Sequence, residues 1–198
     1  MKQIALTLII IISACAVTLA QTFAKIDTTA SVVVWKGSKV GGEHHGNLNL
    51  KSGKLIIEDQ KITGGDFTVD MTTITNSDLT SKKWNKKLVN HLKSGDFFDT
   101  KNHPDAYFKI NDISTAPSGN AGEYTISGDM TVKGITKPIS FPAKVTIKDK
   151  LLTAKADVII DRTAFDIQYK SGSFFDNLGD KLIHDNFELK INLTANLE

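Results

Sequence analysis

The sequence predicts an all-β antiparallel domain, and three observations carry that prediction. Apolar and polar residues alternate with a period of two from Asp27 onward. Gly, Asn and Asp gather between the alternating runs, as hairpin turns require. The runs also follow one another closely, which leaves little room for the helical crossovers that parallel strands need.

In chain order, the first twenty residues stand apart. Lys2 is the one charge before Lys25, and an almost unbroken apolar run extends from Ile4 to Val17. A basic start, an apolar stretch and a small-residue exit describe a secretory signal peptide over residues 1–20, cleaved after Ala20. The competing reading ends the leader before Cys15 as a lipoprotein, since Ile12-Ser13-Ala14-Cys15 resembles a lipobox. On both readings the mature protein is expected to be periplasmic or otherwise exported, with a retained N-terminal membrane helix as the third reading, and its fold, placed at residues 27–198, is expected to contain no disulfide.

Short alternating runs come next, at residues 32–35, 48–50, 55–57, 67–71 and 108–110, with Ser52-Gly53 read as a turn. Residues 78–93 break the rhythm. Leu79, Trp84, Leu88 and Leu92 recur at helical spacing opposite Lys82, Lys83, Lys86 and Lys87, which predicts an amphipathic helix capped by Ser77 or Asp78 and closed by Ser94-Gly95. The lysines read first as a solvated face, with transient membrane contact as the secondary reading. Strong alternation resumes at residues 124–132, 139–147, 152–160 and 187–195, with turns at Ser118-Gly119-Asn120, Lys133-Gly134 and Asp149-Lys150. Residues 170–185 lack a period and read as a loop or a short helical turn.

Each strand then has one dry and one wet side. A closed barrel and a sandwich both satisfy this pattern. Trp35, Phe67, Val69, Phe108, Ile126, Phe141, Val145, Val158 and Phe165 are the inward candidates. Gly128, Ala143, Ala154 and Ala156 also face inward, and such small residues either border a ligand cavity or permit close packing.

Function classes can be narrowed. Hydrophobic residues make up 40% and charged residues 23%, an ordinary globular balance, and a formal net charge of +2 argues against nucleic acid. Gly-x-Ser-x-Gly, phosphate-cradling glycine loops and His-Glu-x-x-His are absent from the sequence. The candidates for acid–base or metal work are His44, His45, His91, His103 and His184. His44 and His45 are adjacent on a strand, so their rings point to opposite faces. No metal or cofactor is expected.

Five segments together resemble the YceI-like family. They are Trp35-Lys36-Gly37 with Val40-Gly41-Gly42-Glu43-His44-His45-Gly46; His91-Leu92-Lys93-Ser94-Gly95-Asp96-Phe97-Phe98-Asp99 followed by Pro104 and Phe108; Gly128-Asp129-Met130-Thr131-Val132-Lys133-Gly134-Ile135-Thr136-Lys137-Pro138-Ile139; Asp161-Arg162-Thr163-Ala164-Phe165; and Ile183-His184-Asp185. Their order spans essentially the whole mature chain. The resemblance implies an eight-stranded antiparallel lipocalin-like barrel with one inserted helix. It further implies an apolar lumen for an amphiphilic lipid-like molecule of polyisoprenoid, quinone or fatty amide type. The family often has Gly after the Phe of the fourth segment, where this chain has Asp166. Asp96-Phe97-Phe98-Asp99 is read as a plug with its rings inward and its carboxylates in water. Arg162 is expected to meet a carboxylate other than Asp161, or a ligand headgroup, and joins the candidate binding residues. The resulting expectation is a non-enzymatic binding protein. Its rivals are a lipid-modifying enzyme with an acid–base site in the lumen, and a ligand-free stress-response module.

Overall fold

The alternating runs form a meander that closes on itself. The computed structural model describes residues 22–59 and 61–197. The strands are β1 (Thr22–Ile26), β2 (Val32–Lys39), β3 (Gly42–Glu58), β4 (Lys61–Asp70), β5 (Asp105–Thr115), β6 (Glu123–Val132), β7 (Ile135–Lys148), β8 (Leu151–Asp161) and β9 (Ile183–Leu197). Helix α1 (Lys82–Lys93) lies between β4 and β5. Sequential strands pair antiparallel from β2 to β9, and β9 returns to β2. β1 pairs with the second half of β3 and the end of β9, so β1 and β2 form one interrupted stave. The result is a barrel of eight antiparallel staves, in which every stave pairs on both sides for at least part of its length, so no strand is left as the outer edge a sandwich would keep.

Several details differ from the sequence reading: β7 begins at Ile135 and β9 at Ile183, the latter inside the stretch read as a loop, and Met71 opens a 3-10 turn after β4. β1 lies upstream of Asp27; its inward residues are Ala24 and Ile26, both buried. Ser52-Gly53 is not a hairpin turn. It belongs to a bulge inside β3, where the register against β4 shifts between Leu50 and Ser52. The extra residue flips the inward parity from Leu48 and Leu50 to Leu55 and Ile57, so one strand looks like two. Helix α1 starts at Lys82 with Ser81 at its N-cap, because Asp78 is engaged elsewhere. Its C-terminal end at Ser94 agrees with the reading. The leader, with both cleavage readings and Cys15, lies outside the described residues.

The barrel has two unlike ends. At the helical end lie the β2–β3 turn, α1, the Lys133-Gly134 turn and the β8–β9 connection. Lys133 and Gly134 both take positive φ (52° and 75°), which fits a tight hairpin. At the far end lie Thr22, the other turns and the end of β9. Leu92 is the buried residue of α1, which packs it with the partly buried Leu88 on the barrel and leaves Lys82, Lys83, Lys86, Lys87 and Trp84 (53% exposed) in solvent.

Candidate ligand-binding lumen

Between the two ends the interior is hollow. A cavity of about 110 Å³ lies toward the helical end and a second of about 120 Å³ toward the far end. Val33, Val69, Met130 and Leu189 line both, so they form a waist between two chambers of one lumen. The chamber walls are almost wholly apolar. Trp35 fits this rule, because its indole N–H donates to the Thr75 carbonyl (2.8 Å) while its ring lines the first chamber.

Beyond the chambers the ends are packed. Ala24, Ile26, Ile57, Leu152 and Ala195, none more than 4% exposed, fill the far end. At the helical end Leu92, Phe97 and Phe98 cover the first chamber, with Phe165 and Ile74 buried beside them. The rings of the expected plug are turned in, Phe97 buried and Phe98 partly so; of its carboxylates Asp96 faces water and Asp99 is half-buried.

Most of the candidate residues converge on this space. Trp35 and Arg162 line the first chamber; Phe67, Phe108, Ile126, Phe141, Val145 and Val158 line the second; Val69 lines both. Phe165 lines neither and belongs to the packed helical end. Ala143, Ala154 and Ala156 border the second chamber. Gly128 does not, since a Cβ there would collide with the Lys109 carbonyl and the Phe108 ring. Sequence reasoning missed Val33, Met130 and Leu189 of the waist. All three alternate inward on their strands, but nothing in that pattern says which inward residues meet across the barrel.

Arg162 is buried at the rim of the first chamber, and each of its three nitrogens donates to the protein. Nε donates to the His184 carbonyl (3.1 Å), Nη1 to Ile167 (2.7 Å), and Nη2 to Ile183 (2.9 Å) and the Asp185 carboxylate (3.3 Å). Burial pulls the Arg162 pKa down, against the pull of Asp185 and Asp161. Burial pushes Asp185 up, but hydrogen bonds from Ser173 and Ser171 and the charge of Arg162 leave it below the usual carboxylate range. Asp166 ends the 3-10 turn Arg162–Phe165 with φ 56°, the left-handed conformation that explains a glycine preference at this position.

The histidines lie outside the chambers except His184, which reaches the rim of the first. His44 Nδ1 meets Asp78 at 2.7 Å, and the His45 N–H and Asn76 amide also donate to Asp78. Burial raises the Asp78 pKa, but these three hydrogen bonds outweigh it and hold the carboxyl at about 2. The His45 ring stays 3.9 Å away, and no group of three such side chains among the described residues converges to hold a metal ion.

A family model described as a YceI-like domain matches residues 25–195. The chain belongs to the YceI-like family. Curated relatives include a UPF0312 protein of Pseudomonas putida strain GB-1, 33% identical over 116 residues, which cover 56% of this chain and 54% of that protein. The protein YceI of Escherichia coli O157:H7 is 40% identical over 55 residues, 28% of this chain and 27% of that one. The chain thus spans about half the length, or less, of these YceI-like relatives. Among solved structures, Burkholderia cenocepacia BcnA superposes with a TM-score of 0.66 at 23% identity, covering 86% of this chain and 99% of that one. A polyisoprenoid binding domain from Saccharophagus degradans, implicated in plant cell wall breakdown, superposes with 0.62 at 12% identity, covering 91% and 100%. At such identities the likeness establishes the YceI-like barrel fold.

Proposed function

We propose that this protein sequesters or carries an amphiphilic molecule with a linear apolar chain, of polyisoprenoid, quinone or fatty amide type, outside the cytoplasm. The observation that carries the reading is the lumen: two apolar chambers in line, joined at a waist. An apolar cavity of roughly 150 Å³ stays dry and takes up an apolar molecule as large as benzene. Two smaller chambers in series suit a thin chain better than a broad rigid ring. Burying on the order of 300 Å² of such a chain contributes roughly 7 kcal/mol before ordering costs.

The family and the polyisoprenoid-binding neighbour support the same chemistry. The leader over residues 1–20 supports export, to the periplasm or as a lipoprotein through Cys15. The lysine face of α1 supports transient contact with an anionic membrane during loading. Arg162 belongs to the reading as support for the chamber rim, its headgroup role given up to Asp185.

The test is native mass spectrometry and solvent extraction of protein purified from its own host. A released lipid-like compound, and binding of an isoprenoid quinone or fatty amide by the emptied protein, are the expected results. Protein that is recovered empty and binds neither class sinks the proposal in favour of a ligand-free module.

A further inference from the structure

Buried apolar side chains obstruct both ends of the lumen, and its wall is not uniform. The β7–β8 ladder runs only from Ala143 opposite Ala156 to Lys148 opposite Leu151. Beyond it, β7 continues to pair with β6 as far as Ile135, and β8 with β9 as far as Asp161. Among the described residues no ladder pairing joins these two continuations. The unjoined seam extends along β8 for about five residues, or about 17 Å. It ends near the helical end, where Lys133 Nζ donates to the Asp166 carbonyl at 2.9 Å.

The sequence of β7 accounts for the seam. Val145 donates its N–H to the Gly122 carbonyl (2.7 Å), toward the β6 side. Successive residues of a strand direct these groups to alternate neighbours, so positions 138, 140 and 142 aim at β8. Positions 138 and 142 are proline and have no N–H to give. In the continued register they stand opposite Asp161 and Asp157. Proline within sheets is confined to such edges, and β7 is an edge here although the barrel is closed elsewhere.

The seam lies against the lumen. Phe141 of β7 and Val158 of β8 line the second chamber, and Ile160 lines the first, so the seam passes the waist. Ala143, Lys155, Ala156 and Ile191 line both the second chamber and an outer depression of about 460 Å³. A second thin place, at the β2–β9 register shift between Gly37 and Lys39, still carries ladder pairs on both sides.

We propose that the β7–β8 seam is the entry port of the lumen. The apolar chain passes sideways between Ile139 and Phe141 on one strand and Val158 and Ile160 on the other. Both chambers then fill without end-on threading of the waist. This rests on the sequestration reading above.

The experiment follows uptake of a tetraprenyl naphthoquinone by quenching of Trp35, in a Trp84→Phe background that removes the exposed indole. Ser140→Cys with Ile159→Cys places a cysteine on each lip, and the sequence after Cys15 has no other cysteine. A bridge forms only if the lips come within about 7 Å between Cα atoms. The oxidised protein is expected to bind and release the quinone about tenfold more slowly, with nearly unchanged Kd and full recovery on reduction. Pro138→Thr with Pro142→Thr is the second variant. Restored donors should protect the seam amides of Asp157 and Ile159 from hydrogen exchange and slow both rates alike.

Unchanged rates in a bridged or newly protected seam overturn the port and assign entry to an end or to the β2–β9 bulge. A raised Kd with an unchanged association rate also overturns it, making the seam mere lining. Absence of quinone binding by the unmodified protein is a different failure, that of the sequestration reading.

Discussion

Arg162 illustrates what single residues decide in this barrel. The sequence placed it beside Asp161 on one strand, which excluded that pair and left another carboxylate or a headgroup. The structure supplies Asp185 and three backbone carbonyls. The carbonyls were not legible, because they depend on how the β8–β9 connection folds back over the barrel end. Truncating Arg162 leaves Asp185 and those carbonyls without their cation in a largely buried place. Arg162→Ala should therefore cost about 3–5 kcal/mol in urea unfolding. Arg162→Lys should recover little, since one ammonium cannot reproduce the planar fork. A loss below about 1 kcal/mol for Arg162→Ala would show that water replaces the guanidinium and that the site is open.

At the scale of elements, legibility follows the strength of the alternation. β6 and β8 have long single-parity patterns and are readable nearly to their ends, whereas the first four residues of β7 and of β9 lie outside the alternating runs read from the sequence. β3 was split because its bulge reverses parity, and β1 was passed over because only Ala24 and Ile26 carry its inward signal. The start of α1 was misread for a chemical reason. Asp78 has the composition of a cap, yet it holds the connection before α1 against β3 through His44, the His45 N–H and Asn76. Its pKa is lowered from 3.8 to about 2, so the stability it contributes is present above about pH 4. That contribution is lost as pH falls through about 2. Solvent screening of this partly exposed group leaves it worth on the order of 1 kcal/mol. Asp78→Asn should lower stability at pH 7 by about that amount, and the gap from the parent should close in urea titrations near pH 2. A gap that persists unchanged at low pH would mean that the carboxylate's charge contributes nothing there.

The property of the whole molecule that matters most is that the barrel is hollow, and alternation could not reveal it. Small inward residues look the same whether they border space or admit a neighbour. The four candidates in fact divide: Ala143, Ala154 and Ala156 border the second chamber, while Gly128 makes room for Phe108 and the adjoining backbone. The division predicts opposite signs for the same kind of substitution. Gly128→Ala forces a Cβ into occupied space and should destabilise by about 1–3 kcal/mol. Ala154→Leu places its added carbons in the second chamber, where they replace empty space with contacts, and should stabilise by roughly 0.5–2 kcal/mol. The gain should come with a loss of chain uptake, because the filled chamber no longer accepts the ligand. Thermal unfolding with and without the quinone measures both effects: a higher Tm for Ala154→Leu alone, and a smaller ligand-induced rise than in the parent. A lower Tm for Ala154→Leu, like that of Gly128→Ala, would mean that the second chamber is not free space in solution and that the barrel is packed through.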